Sequence, residues 1–275
     1  MTCIHSERAV LAFFPALPHE SGMGKQEEAL SVEQWHASPG GSFALAQQKR
    51  ILQHLMSRWP RRGCSMLDVG CGTGLFSEFL WESGFDVTCL AHDQPMLESA
   101  QARLGPKASY QVGVAGHLPF DDHTFDYVAL FGAFEEPDDP RATLEEALRV
   151  AARGVILGFF NAFSLARLAQ AFPSGDRMPH TRWYGPAAIW RLLRHLPDIR
   201  RARFGSVLLG PPCTWRAGKI CGFCNALRLP LPVGAYVALS ITPGSRLPLT
   251  PLPLRLRKGG LKEASPHALR EGRCS

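Results

Sequence analysis

The stretch Met66–Gly74, MLDVGCGTG, joins a short apolar run, Ser65 to Val69, to a segment with helical spacing, Leu75 to Ser83, which Gly84 ends. A strand, a glycine-rich turn and a helix in that order form a ligand-binding turn. The glycines let the chain reverse tightly and let a ligand approach the backbone, and the helix start behind them offers free N–H groups. The spacing Gly70-Cys-Gly72-Thr-Gly74 is G-x-G-x-G, one residue short of the G-x-G-x-x-G of dinucleotide sites. No Gly-Lys-Ser/Thr follows, which excludes a P-loop. Asp68, just before the turn, suits a ligand bearing an ammonium group better than a pyrophosphate.

Strands and helices alternate outward from this turn. Phe85 to Ala91 reads as a second strand, Met96 to Leu104 as a helix ended by Gly105, Tyr110 to Val114 as a third strand and Asp126 to Phe131 as a fourth. Thr143 to Ala152 reads as a helix and Val155 to Phe160 as a fifth strand. This order implies right-handed βαβ units and a doubly wound, mostly parallel α/β sheet. Pro186 to Leu196 reads as a further helix, and Arg203 to Leu209 and Ala235 to Thr242 as strands that could pair antiparallel at one sheet edge. Before the turn, Phe43, Leu45, Ile51, Leu52 and Leu55 recur at helical spacing between Ser42 and Ser57, with a break at Pro60 to Gly63. Three parts are expected: an irregular N-terminal arm (1–33), one domain (34–245) and a basic, proline-rich tail (246–275) in which repeated Pro sustains neither helix nor interior strand.

The 275 residues suit one such domain with additions. The formal net charge is +6, with Arg255, Arg257, Lys258 and Lys262 among the tail's share. Such a tail can meet nucleic acid or an anionic surface, or remain merely solvated; without interleaved aromatics the last reading leads. The start has no cleavable leader pattern, and no apolar run approaches the roughly 20 residues that span a bilayer. Eight cysteines, several inside apolar runs, fit reduced thiols in a cytoplasmic protein. Cys221-Gly-Phe-Cys224 lacks a second pair for zinc and a βαβ context for thioredoxin-like chemistry, so it reads as a buried connection and no metal is expected.

With these segments in place, the chain resembles the class I S-adenosylmethionine (SAM)-dependent methyltransferases, in the small-molecule group that carries the LDVGCGTG turn. QWHASPGGSFALAQQKRIL (34–52), LPFDDHTFDYVALFGAFEEPDDP (118–140), LEEALRV with GVILGFFN, HTRWYGPAAIWRLL (180–193) and PLPVGAYVALSI (230–241) fall in the family's order. The resemblance implies a Rossmann-like, seven-stranded sheet with an antiparallel last strand. It implies SAM as cofactor and in-line methyl transfer to a small-molecule acceptor. Asp68, Gly70, Cys71 and Gly72 would line the methionine end of SAM.

Two positions depart from the family pattern. Its ribose-binding acid falls on Ala91, and its adenine-binding acid on Val114. Asp93 either reaches the ribose or caps the helix that starts near Pro95, and His92 either stacks on the adenine or faces solvent. Backbone groups of Ala115 or Gly116 would have to replace the acid at Val114. The resemblance puts Phe131 beside the sulfonium and Phe134 and Glu135 in the substrate wall; Glu135 or Glu136 could act as a base, but the polar-loop reading of Glu-Glu-Pro-Asp-Asp leads. His180, Arg182, Trp183 and Tyr184 precede the closing helix, where Trp183 and Tyr184 would suit a flat or apolar acceptor or else pack at the sheet edge. No Asn/Asp-Pro-Pro-Tyr run is present, which argues against amino methylation of nucleic acid or protein, and no catalytic residue stands out. The rivals are a silent binding protein of the same fold and, behind it, a nucleic-acid methyltransferase.

Overall fold

A computed structural model describes residues 25–131, 139–170, 182–196, 199–216, 218 and 221–244, with side chains from Ser31 onward. Helix α1 (Lys25–Ala37) starts inside the stretch that reads as an irregular arm, and α2 (Pro39–Leu55) follows. Ser38 separates them: its side chain accepts from Gly41 N at 3.1 Å and Pro39 takes the first turn. Then come β1 (Ser65–Val69), α3 (Leu75–Glu82), β2 (Asp86–Ala91), α4 (Gln94–Leu104), β3 (Ala108–Val112), β4 (Phe125–Leu130), α5 (Pro140–Val150) and β5 (Ala151–Asn161). The last part holds α6 (Leu165–Ala169), β6 (Trp183–Tyr184), α7 (Pro186–Arg194), β7 (Ile199–Val207), α8 (Cys221–Ala226) and β8 (Tyr236–Pro243).

The strands form one sheet in the order β3-β2-β1-β4-β5-β8-β7, with β6 paired to β5. β1 to β5 are parallel, while β8 runs antiparallel to both β5 and β7. The sheet thus has eight strands rather than seven. The addition is β6, which pairs Trp183 with Phe160 and Tyr184 with Asn161. Since β8 already flanks β5 at Phe160, β6 lies on the β4 side and continues the line of β4 beyond its end.

Strand residues alternate between two apolar layers. Met66, Cys89, Ala91, Ala129 and Phe131 face α2, α3 and α4, whereas Leu67, Leu90, Val128 and Leu157 face α5 and α7. The strand order reverses between β1 and β4, and such a switch point leaves a crevice beyond the carboxyl ends of the strands. The glycine-rich turn stands there.

Several boundaries differ from the sequence reading. β3 ends at Val112: Gly113 N still donates to Ala91 O on β2 (2.9 Å), but Val114 then bridges His117 and is left half exposed. α5 starts at Pro140 because Asp139 caps it, accepting from Arg141 N at 2.9 Å and Ala142 N at 3.2 Å. β5 starts at Ala151, where Phe125 pairs with it.

Candidate functional site

Asp68 lies one residue from the end of β1, on the face toward α3. It is buried, and Oδ2 accepts from Ser77 Oγ at 2.6 Å. Oδ1 is equally buried and meets no donor among the described residues. Burial raises the carboxyl's pKa to about 7, against the opposing Ser77 hydrogen bond. The unliganded protein therefore holds a costly, half-satisfied acid, and a cation with N–H donors at Oδ1 would relieve it. The structure thus fits an ammonium-bearing group at this position.

The turn after Asp68 is built for close approach. Gly70, Gly72 and Gly74 have φ of 70°, 54° and 80°. At Gly72 a Cβ would meet nothing within 4 Å, so the turn is open on that side. Gly74 has a different role: a Cβ there would come within 2.8 Å of Leu104 and 3.1 Å of the Ala100 backbone, so this glycine lets α4 pack against the turn. Gly70 N and Cys71 N both donate to Leu90 O, which ties the turn to β2. Cys71 is buried; the neighbouring Cys89 thiol, burial and the nearby Asp68 push its thiol pKa up, so it lines the turn as a neutral group. Arg103 donates Nε to Thr73 O at 3.0 Å and pairs with Glu33 and Glu78, clamping the turn to α1 and α3.

The sheet topology brings most of the other sequence candidates to the same end. Ala91 is buried at the end of β2, with His92 exposed after it. Asp93 caps α4, with Oδ1 accepting from Met96 N at 3.0 Å. Ala115 is partly buried and packs against the apolar layer that faces α5 and α7. Phe131 closes β4 as a buried wall, its ring 4.9 Å from that of Phe76.

β6 divides the aromatic pair. Trp183 packs on Phe160 (5.4 Å) in the layer of Phe131 and Cys71, while Tyr184 lies in the opposite layer, 6.4 Å from Phe159. Adjacent strand residues point to opposite faces, so only Trp183 shares a face with Asp68. Phe134, Glu135, Glu136 and His180 lie outside the described residues. Cys213, Cys221 and Cys224 are exposed, which corrects the reading of a buried connection: Asn225 is the buried group of α8. Among the described residues no cluster of three His, Cys, Asp or Glu could hold a metal, and no helix is long and apolar enough to cross a membrane.

Sequence reasoning missed Ser77, Arg103 and Trp215. Ser77 is a small polar residue on the inner face of α3, and Trp215 is fully buried, donating Nε1 to Gly210 O at 2.9 Å and meeting Trp35 edge-on. No local pattern distinguishes them; only the packing does.

Residues 67–159 match the family model described as a methyltransferase domain. That part of the chain is therefore similar to a methyltransferase domain. It is 31% identical over 144 residues to a malonyl-[acyl-carrier protein] O-methyltransferase of Salmonella typhimurium, covering 49% of this chain and 57% of that one. A demethylmenaquinone methyltransferase of Renibacterium salmoninarum is 36% identical over 92 residues, 34% of this chain and 38% of that one. The chain thus spans about half the length of the curated relatives it matches. In fold it is similar to a SAM-dependent methyltransferase of Thermotoga maritima described as a possible histamine N-methyltransferase, with TM-score 0.59, 19% identity and coverage of 79% of this chain and 96% of that one.

Proposed function

We propose that the protein binds SAM at the carboxyl ends of β1, β2 and β4 and transfers its methyl group to a small organic acceptor. The observation that carries this reading is Asp68: a buried carboxylate with one oxygen unpartnered among the described residues, followed by a turn with an open positive-φ glycine at the switch point of the sheet. When bound, SAM supplies an electrophilic methyl group on a sulfonium. Asp68 Oδ1 would accept from the amino acid's ammonium while Ser77 holds the carboxylate in place. Gly70 and Gly72 would admit the methionine chain against the turn. Phe131 and Phe76 would shield the sulfonium from water, and Trp183 would bound the acceptor's side. Alignment and water exclusion supply most of the acceleration of such a transfer. A general base is needed only where the acceptor must lose a proton.

The nucleoside end is held with fewer charges. Ala91 offers no carboxylate to the ribose, and Val114 offers no acceptor to the adenine. Asp93, with one oxygen committed to the α4 cap, and the backbone around Ala115 are the groups left for those contacts. This thin nucleoside pocket supports a second reading, a silent binding protein. Calorimetric titration with SAM and with its demethylated product separates the proposals. Micromolar binding that Asp68→Asn weakens about a hundredfold supports the enzyme, whereas no binding at millimolar ligand would exclude it.

A further inference from the structure

Charge is distributed unevenly along the chain. Residues 1–160 carry twelve Arg and Lys against twenty acids, whereas residues 161–244 carry eleven against two, Asp176 and Asp198. The third of the chain that holds β6, α7, β7, α8 and β8 therefore carries a large cationic excess. Exposed apolar side chains collect in the same third. Leu165, Leu168, Phe223, Leu227, Leu231 and Val233 are between 42% and 70% exposed.

These residues come from three segments at one end of the sheet: the loop and helix after β5, the connection after β7 and the turn before β8. Buried polar side chains bind the segments together. Asn161 Nδ2 donates to Pro232 O (2.9 Å) and Gly234 O (3.0 Å), while its Oδ1 accepts from Phe163 N at 2.9 Å. Ser206 Oγ donates to Leu231 O, and Asn225 bridges Gly210, Thr214 and Cys221. The rim is therefore a held surface. In α6 the usual amphipathic order is inverted: the small Ala166 is buried while Leu165 and Leu168 point outward. Such exposure costs free energy unless something covers it.

Resting on the proposed methyl transfer, we infer that this rim docks the protein on an anionic lipid bilayer and presents the site to an amphiphilic acceptor drawn from it. Aliphatic side chains inserting into the headgroup boundary, flanked by arginines that meet lipid phosphates, form an interfacial membrane contact. Arg216 and Arg228 are exposed beside the apolar residues, and Arg167 stands 5.8 Å over the Trp183 ring, linking the rim to the face of the site. A nucleic acid would use the arginines but give Leu and Val nothing to contact. A folded acidic partner would need one matching shape, whereas lipid accepts side chains from three separate loops.

The test is co-sedimentation of the full chain with vesicles of phosphatidylcholine alone and with added phosphatidylglycerol, alongside SAM titration of each variant as a check of folding. The expected result is binding to the anionic vesicles only. Arg216→Gln with Arg228→Gln should weaken it about thirtyfold, at about fivefold per arginine. Leu168→Ser with Leu231→Ser should weaken it about tenfold. All variants should keep wild-type SAM affinity. Equal binding to neutral vesicles, no binding, unchanged binding of both double variants, or salt-sensitive binding to an oligonucleotide without vesicle binding would each overturn the docking. If the vesicles bind in the rim-dependent way while SAM does not, the docking stands and the methyl transfer falls.

Discussion

Asp68 and Arg149 occupy opposite ends of the sheet and meet opposite fates. Asp68, at the carboxyl end of β1, is buried with one oxygen unpartnered. Arg149, near the amino end of β4, has its donors filled: Glu146 at 2.7 Å, Asp122 at 2.9 Å, Phe120 O at 2.8 Å and Leu118 O at 3.2 Å. Glu146 in turn accepts from Leu118 N at 2.8 Å, and Arg149 holds its carboxyl below the usual range. A surface depression of about 530 Å³ opens beside this pair, lined by His117, Pro119 and Phe120, but its charges already satisfy one another. The cluster at the amino end fastens a loop. The carboxyl end leaves a demand that the protein does not meet itself, and that difference separates a structural polar group from one kept for a ligand.

The largest effect is expected at Asp68. Asp68→Asn should lower SAM affinity about a hundredfold or more, through loss of a charge-assisted contact. It should also stabilise the unliganded protein above about pH 7 by a few kcal/mol, since it removes a buried charge. Calorimetry and thermal unfolding measure the two, and a destabilised Asp68→Asn protein would show that the carboxylate is structural.

Arg149→Ala should do the reverse. It should cost about 2 kcal/mol in denaturant unfolding, by leaving Glu146 and two carbonyls short of a donor, with SAM affinity unchanged.

The pH dependence tests the same contrast. The folded pKa of Asp68 is raised from 3.8 to about 7, so the folded state binds its proton first. As pH falls through about 7, SAM affinity should drop, by at most about tenfold per unit, while Asp68's contribution to the stability of the free protein rises until about pH 4. His36 opposes this: burial depresses its pKa from 6.5 to about 4, so its contribution is present above 6.5 and is lost as pH falls toward 4. Comparing Tm against pH for the wild type, Asp68→Asn and His36→Gln separates the two contributions.

The smallest effect is at Asp93. Asp93→Ala should cost about 1 kcal/mol of stability through the lost cap. An accompanying fall in SAM affinity would assign the other oxygen to the ribose; unchanged affinity would leave Asp93 a cap alone.

Local pattern carried the reading of β1, α3, β2 and α4, because glycines, caps and apolar periodicity are short-range signals. It failed where a contact from elsewhere decided the outcome. Val114 looks like the end of a strand, but it bridges His117 and the chain turns back on itself there. Cys221 and Cys224 look buried by composition, yet Asn225 takes the interior because it alone in α8 can satisfy three backbone segments at once. Trp183 and Tyr184 are equivalent in sequence and are separated by the pleat of β6.

From its residues alone the chain declares a doubly wound α/β domain, a glycine-rich turn at the end of its first strand and an acid suited to an ammonium group. These follow from backbone freedom, periodicity and side-chain charge, which neighbours in sequence express. Tertiary structure decided which oxygen of Asp68 is left open, that Ser77 and Arg103 hold the turn, and that a cationic, apolar rim gathers beside the site. Those depend on burial and on partners tens of residues apart, and only the folded sheet brings them together.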